Sequence, residues 1–314
     1  MWYNGTKGCE IMIDFQKFDL SNKEAYDRIL RSNADRGCEY SFVNLNIWGR
    51  QQAAFLDGFL VLFSQFEKRS VYPFPVGKGD LRKVLDAIIH DARQRGIVCR
   101  LTGLTAQDTV TVEELYPGQF QFHPDRDSCD YVYAIDDLSQ LKGRKYQKKR
   151  NHLNRFREQH PNCHAEPITA DNLPDVKKML LQWYETRLEA DPNNDFHLEK
   201  RALRRGIHHM DDLGLEGICL VEDGKILAMA LGSFLSDNTF DIHFEKALED
   251  VDGAYPAINQ AFAAHLRSKY PQLQYLNRED DMGIPGLRKA KLSYYPDHMV
   301  VKFWARLWED DDED

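Results

Sequence analysis

The run LEGICLVEDGKILAMALGSF, residues 215–234, constrains the fold more than any other stretch. Two apolar segments, 217–222 and 225–234, meet at Asp223-Gly224, a pair that takes up positive φ at little cost. A tight antiparallel hairpin is expected there. Residues 239–245 then alternate Phe240, Ile242 and Phe244 with Asp241, His243 and Glu245. That period of two predicts a third strand, with Asp241, His243 and Glu245 on one shared polar face.

Around this sheet the pattern changes to helical spacing. A strand at 164–169 precedes a helix at 171–188, where Leu173, Val176, Leu180, Trp183 and Tyr184 recur on one side. A second helix, 198–213, carries Leu203, Ile207 and Met210. After the third strand come a helix at 256–267 opening on Pro256, a short strand at 273–276, a further helix and a last strand at 299–304. The order is similar to that of the GNAT N-acetyltransferase fold. The first half fits a looser version: helix 23–31, a hairpin at Asp57-Gly58, helix 79–95, strand 97–104, helix 106–115, and strands near Phe120 and Tyr131. With 314 residues the chain is long enough for two domains. The expected class is α+β: a GNAT-like domain at 1–160 ending in a basic helix, and a second at 161–314 with an acidic tail.

Composition removes several alternatives. No apolar run approaches the roughly 18–20 residues of a membrane-spanning helix, residues 226–235 being the best candidate. The start has no long apolar stretch, so no secretory signal is expected and the cytoplasm is the expected location. Cys9, Cys38, Cys99, Cys129, Cys163 and Cys219 lie far apart and read as reduced thiols. The tail Glu309–Asp314 reads as a solvated end. A net charge of −9 argues against a general nucleic-acid binder.

Charge is unevenly placed, however. KGRKYQKKRNHLNRFR, residues 142–157, holds eight Lys or Arg and no acid. As a helix it turns Tyr146, Leu153 and Phe156 inward and lines another face with Arg144, Lys148, Asn151 and Arg155. Two readings stay open: a solvated helix covering a domain join, or a seat for phosphates built from Lys148, Arg150, Asn151 and Arg155. The spacing does not choose among tRNA, an acidic lipid head group and a nucleotide.

Acetyl-CoA enzymes of the GNAT fold cradle the pyrophosphate in a Q/R-x-x-G-x-G/A turn at a helix N-terminus. The corresponding stretch is LEDVDGAYP, residues 248–256, where Asp250 takes the Q/R position and Tyr255 the last small position. With Asp252 between them, the turn disfavours CoA, and no cofactor is expected. In FPVGKGDL, Gly77 and Gly79 precede a helix and read either as a phosphate loop or as ordinary turn glycines. No G-x-S-x-G, H-E-x-x-H or P-loop is present, and no metal site is expected. Asp241, His243 and Glu245 are the acid–base candidates, their shared face reading either as a site or as the polar side of an open sheet, with Asn259, Asn277 and Tyr255 as groups that could orient an amine or carbonyl. In NREDDMGIPGLRKAKLSYYP, residues 277–296, Gly283 and Gly286 allow close backbone approach to a ligand. Arg288 and Lys291 share a helical face suited to an anion, with Arg278 upstream. Glu279, Asp280 and Asp281 either seat an amino group or neutralise the cations that follow.

HFEKA, GAYPAINQAF, LNREDDMGIPGLRKAKLSYYP, YPFPVGKGDL and LKGRKYQKKRNHLNRF resemble a soluble bacterial family related to the C-terminal catalytic domain of lysylphosphatidylglycerol synthases. The resemblance runs over about residues 15–304. It implies tandem GNAT-like domains as in the Fem peptidyltransferases, whose last strand can cross to the partner domain. It further implies an aminoacyl- or acyl-transferase that draws on aminoacyl-tRNA and transfers to an amine or hydroxyl, with His243, Glu245, Asn259, Asn277 and Asp280 as catalytic candidates. The synthases' membrane-spanning half is not in this sequence, so the expected acceptor is soluble or a lipid met peripherally. The rival expectations are a CoA-dependent N-acetyltransferase and a non-catalytic anion-binding module.

Overall fold

The computed structural model describes residues 12–31, 36–49, 51–66, 69–192 and 196–308. Cys9 and the acidic tail lie outside the described residues. The chain begins with β1 (Gln16–Lys17), α1 (Lys23–Arg31) and α2 (Phe42–Trp48). Ser41 caps α2 by accepting from the Asn44 amide, and Gly49 ends it in the left-handed region. β2 (Gln51–Leu56) and β3 (Phe59–Phe66) form the hairpin expected at Asp57-Gly58, and both turn residues have positive φ. Next come β4 (Arg69–Pro73), β5 (Val76–Gly77), α3 (Leu81–Gln94), β6 (Arg100–Leu104), α4 (Ala106–Leu115) and β7 (Phe120–Pro124). α4 opens on a Thr105–Asp108 capping box.

The rest of the chain supplies β8 (Asp130–Ala134), α5 (Ile135–Gln140), α6 (Gln147–Gln159) and β9 (His164–Pro167). Three helices follow, α7 (Leu173–Ala190), α8 (His197–His208) and α9 (Met210–Leu213). The expected hairpin is β10 (Glu216–Glu222) with β11 (Lys225–Phe234), and β12 (Thr239–Ala247) joins it antiparallel. α10 (Ala254–Lys269), β13 (Tyr275–Asn277), α11 (Pro285–Leu292), β14 (His298–Val300) and β15 (Phe303–Leu307) complete the chain.

The chain forms two compact units, but they are not its two halves. One is Met1–Ile29, Arg50–Asp125 and Lys302–Asp314; the other is Leu30–Gly49 and Arg126–Val301. This differs from the expected division at 160. α6 belongs to the second unit because Leu153 and Phe156 enter one core with Ile258 and Phe262 of α10. The first unit's sheet runs β1-β2-β3-β4-β6-β15-β7, with β5 on β3. The second unit's runs β14-β8-β13-β12-β11-β10-β9. The single last strand expected at 299–304 is two strands. β14 pairs with β8, whereas β15 lies between β6 and β7 in the other sheet. β15 thus returns to the first unit's sheet, while β8 lies within the second unit's own segment Arg126–Val301. Cys163 and Cys219 are free thiols.

Ending the chain after Val301 removes β15, whose Ala305 and Leu307 are buried in the first unit's core. Hydrogen exchange read by mass spectrometry should then show β6 and β7 amides exchanging fast while β10–β12 stay protected. Full protection of β6 and β7 in the shortened chain would contradict the exchange.

Candidate functional site

β12 is the strand that places the chemistry. Its register with β11 runs Phe240↔Phe234, Asp241↔Ser233 and Ile242↔Gly232, then resumes at Phe244↔Leu231. His243 is the extra residue of a bulge. A one-residue slip exchanges the faces of everything beyond it. Before the bulge, Phe240 and Ile242 join the core with α10. After it, Ala247 does so. Glu245 accepts from Asn259 of α10, while Lys246 pairs with Glu199 of α8. The expectation that Asp241, His243 and Glu245 share one face is therefore corrected: the bulge turns Glu245 to the α10 side and leaves Asp241 and His243 opposite.

The sheet also opens here. The parallel ladder of β12 and β13 ends at Asp241↔Asn277. Beyond it the Arg278 amide donates to Tyr131 and the Tyr131 amide to Glu279, which holds this chain on β8 while β12 continues to Ala247. Arg278 and Glu279, adjacent in sequence, reach opposite faces.

On the face away from α10, His243 Nδ1 lies 3.1 Å from Glu279 Oε1 and 3.5 Å from Asp241 Oδ2. Its Nε2 lies 2.8 Å from Ser233 Oγ. Two carboxylates beside Nδ1 favour a proton there, which leaves Nε2 to accept from the serine hydroxyl. Asn44 of α2 donates to Glu279 Oε1 at 3.0 Å. Asn277 accepts from the Glu279 amide at 2.7 Å and donates to Asp130 at 2.9 Å, and Asp130 also accepts from the Cys38 amide. Asp130, Asp241 and Asn277 are fully buried. Ligand atoms of Cys38, Asp241 and Glu279 lie within 4.8 Å of one another, as do those of Cys38, Glu39 and Asp130. These donor sets would suit a divalent ion and depend on residues brought together from distant segments.

On the α10 face, Glu245 accepts from Asn259 at 2.9 Å and from Arg278 Nη2. The Arg278 guanidinium stands 5.6 Å from the Tyr133 ring centre and 5.1 Å from that of Tyr294. Asn259 Oδ1 and Arg278 Nη1 are buried without a hydrogen-bond partner among the described residues. Together they suit a ligand that offers both a donor and an acceptor. Lys149 Nζ lies 3.8 Å from the Tyr294 ring centre. Burial, and after it the charge of Arg278, brings Lys149 down to about 8. Burial pushes Tyr294 up to about 12.

The other expected residues have their own partners. Arg288 donates to buried Asp281 at 2.7 and 2.8 Å and to Asp127 at 2.6 Å. The bonds from Arg288 outweigh burial and hold Asp281 far below the usual carboxylate range. Lys291 is buried and donates to the carbonyls of Arg278 and Asp280. Burial, then Arg278, lowers its pKa. Arg288 and Lys291 thus do not form one exposed clamp; Asp281 receives Arg288, and the carbonyls of Arg278 and Asp280 receive Lys291. Gly283, at φ 71°, leaves room for Asp127, whose Oδ2 would lie 2.8 Å from an added Cβ, whereas Gly286 faces open space.

In α6, Arg150 donates to the Leu141 and Gly143 carbonyls at 2.5 and 2.7 Å, and Arg155 pairs with Asp252 at 2.9 Å. Lys148 and Asn151 are exposed. At the start of α10, a Cβ on Gly253 would meet the His152 carbonyl at 2.9 Å, and the Tyr255 hydroxyl accepts from Trp183 Nε1 at 3.0 Å. Gly77 and Gly79 lie close against the β2–β3 turn. A Cβ on Gly77 would sit 2.3 Å from the Gly58 carbonyl, and one on Gly79 2.0 Å from that of Asp57. The N-terminus of α3 is already occupied, since Asp80 accepts from the Lys83 amide and Asp57 from the Asp80 amide. Sequence reasoning missed Ser233, Asn44, Asp130 and Lys149. Of these only Lys149 had a local signal, as a cation at a core-facing edge of the basic segment.

Two mixed sheets, one completed by β15 from the far end of the sequence and one opening between a parallel pair, define a tandem GNAT-like fold. Residues 30–306 match the family described as phosphatidylglycerol lysyltransferase, C-terminal, and the chain belongs to that family. A conserved protein from Bacteroides thetaiotaomicron VPI-5482 is 37% identical, with a TM-score of 0.88 over 95% of this chain and 100% of the other. L-PGS from Bacillus licheniformis shares the fold at 15% identity, with a TM-score of 0.64 over 93% of each chain. So does a tandem GNAT protein from the clavulanic acid biosynthesis pathway, at 8% identity and a TM-score of 0.51 over 95% of this chain and 100% of that one. A Mycoplasmoides gallisepticum protein, MYCGA3080, is 26% identical over 57% of this chain, and the match spans 56% of that protein. Among the described residues no helix is long and apolar enough to cross a membrane.

Two outcomes test this geometry. Replacing Arg278 by Met leaves Glu245 in a site only 11% exposed, so equilibrium unfolding should show a loss of about 3–5 kcal/mol. Lys149→Met should stabilise the protein at pH 7, where the native lysine is charged against its burial. Because the folded pKa lies below the unfolded one, the native protein itself gains stability as pH rises from about 8 toward the ordinary lysine value. The advantage of Lys149→Met should therefore shrink across that window. Chemical denaturation at pH 7 and pH 10 reads the difference, and a constant advantage would contradict it.

Proposed function

We propose that this chain is an aminoacyl- or acyl-transferase that moves an aminoacyl group from aminoacyl-tRNA to an amine or hydroxyl acceptor. The observation that carries this reading is the opening beyond Asp241↔Asn277, with His243–Glu279 on one face and Glu245–Arg278 on the other. Attack on an aminoacyl ester needs two held reactants and a proton acceptor. His243 is the proton acceptor, and Glu279 with Asp241 gives the donor's ammonium group a negatively charged seat. Asn277 fixes Glu279 through its amide, and the unpartnered atoms of Asn259 and Arg278 receive the acceptor. Asp280 contributes through its carbonyl, which fixes Lys291.

The turn before α10 supports a donor other than CoA. Asp252 and Arg155 pair there, and Gly253 lies against α6, so a pyrophosphate would have to displace both. The basic segment supports a polyanionic donor through its exposed cations Lys142, Arg144 and Lys148. This reading puts the reaction in the cytoplasm, where aminoacyl-tRNA is made. The matching family's description makes the phosphatidylglycerol head group the first acceptor to try.

The protein should transfer label from lysyl-tRNA charged with labelled lysine to phosphatidylglycerol vesicles or to a small amine. Changing Lys142, Arg144 and Lys148 together to Gln should weaken tRNA binding and flatten its salt slope by up to about 0.9 per lost duplex-type contact, with the melting temperature unchanged. Filter binding across a salt series measures the slope. Salt-insensitive tRNA binding, or saturable CoA binding in calorimetry together with acetyl transfer, would sink the reading.

A further inference from the structure

Ser233 and His243 stand out on the face opposite α10. Ser233 is on β11, directly across from Asp241 of β12, and His243 is aimed by the bulge. The imidazole bridges a hydroxyl, 2.8 Å from Nε2, and two carboxylates, 3.1 and 3.5 Å from Nδ1. A hydroxyl next to a base that a third, acidic group orients is the recognised arrangement of an activated nucleophile. The polarity is consistent along the chain of contacts: Nδ1–H donates to Glu279 with the Asp241 carboxylate alongside, and Ser233 Oγ–H donates to Nε2. Among the described residues Ser233 makes no other side-chain hydrogen bond, and it is 2% exposed, so its oxygen is held against the imidazole. A merely structural serine at a strand position requires neither the imidazole nor the buried Asp241 and half-buried Glu279 behind it.

We propose that Ser233 is a covalent nucleophile, and that transfer proceeds through an acyl-serine rather than by direct attack of acceptor on donor. This rests on the transferase reading above. In the first step Ser233 Oγ bonds to the acyl carbon of an ester donor while His243 Nε2 takes the hydroxyl proton. The ester C–O bond breaks, and the same proton goes to the departing hydroxyl oxygen. In the second step the acceptor's amine or hydroxyl attacks the acyl-serine and gives its proton to Nε2. The Oγ–acyl bond breaks, and that proton returns to Ser233. No oxidant, reductant or further reactant is needed. Asp241 and Glu279 stabilise the imidazolium in both steps.

The test separates this inference from the transferase reading. A fluorophosphonate probe, which phosphonylates activated serines, is incubated with the full chain, and the modified peptide is located by mass spectrometry. One adduct on Ser233 is expected, absent in Ser233→Ala, slowed at least about a hundredfold in His243→Gln, and retained in Ser236→Ala. With lysyl-tRNA and no acceptor, acid quench should trap lysine on the peptide carrying Ser233. Circular dichroism and melting confirm that the variants are folded, and Ser233→Cys, which keeps a nucleophile, should retain an adduct with thiol-reactive esters. Unlabelled Ser233 in folded protein, or full transfer by folded Ser233→Ala, overturns the proposal while leaving direct transfer standing. Labelling at Ser233 without transfer from any aminoacyl-tRNA supports the nucleophile and removes the donor instead.

Discussion

The single unpaired residue in β12 is the constraint on which the candidate site depends. Had β12 kept its period of two through His243, Glu245 would face the same side as Asp241, among three acids and one histidine. Like charges so placed would raise one another's protonation and separate Glu245 from Asn259 and Arg278. The bulge divides the polar residues instead. One group collects around imidazole and the other around guanidinium, with the adjacent Arg278 and Glu279 serving one each.

The opening of the sheet follows from a second local choice. After Asn277 the backbone is held by β8, through the amides of Arg278 and Tyr131, so β13 does not follow β12. The loop that comes next is stiffened by its own charge. Buried Asp281 gathers Arg288, Arg126 and the Tyr131 hydroxyl, and Lys291 ties down two carbonyls. A desolvated acid with several charge-assisted bonds holds its surroundings more firmly than an exposed ion pair would. Residues that look like ligand contacts in sequence here fix the loop that carries Arg278 and Glu279.

Much of the fold was legible. The hairpins at Asp57-Gly58 and Asp223-Gly224 announced themselves by turn chemistry, and the helices by apolar spacing. The family resemblance proved correct, and with it the crossing of the last strand. What was not legible depended on long-range pairing. A bulge leaves the alternation of Phe240 to Glu245 intact in sequence, so the change of face at His243 carries no local mark. The break at Val301 between β14 and β15 is equally silent, because both flanks read as one strand until their partners are known. Ser233, Asn44 and Asp130 reach His243, Glu279 and Asn277 from distant segments, and no spacing rule joins them. The cations of the basic segment were found, but which of them face inward depended on carbonyls at Leu141 and Gly143.

The insertion of β15 between β6 and β7 has a bearing on biosynthesis. Those five residues leave the ribosome after β1–β7, yet they occupy an interior position in the sheet those earlier strands form. Until they emerge, β6 and β7 each present an unsatisfied edge, the kind of surface that pairs with other nascent chains. Proper assembly of that sheet therefore waits until Leu307 has emerged, after every strand of the other sheet has been made. A ribosome that stops before Phe303 releases a product with one sheet able to close and one that is not, which quality-control proteases can recognise without reading the candidate site at all.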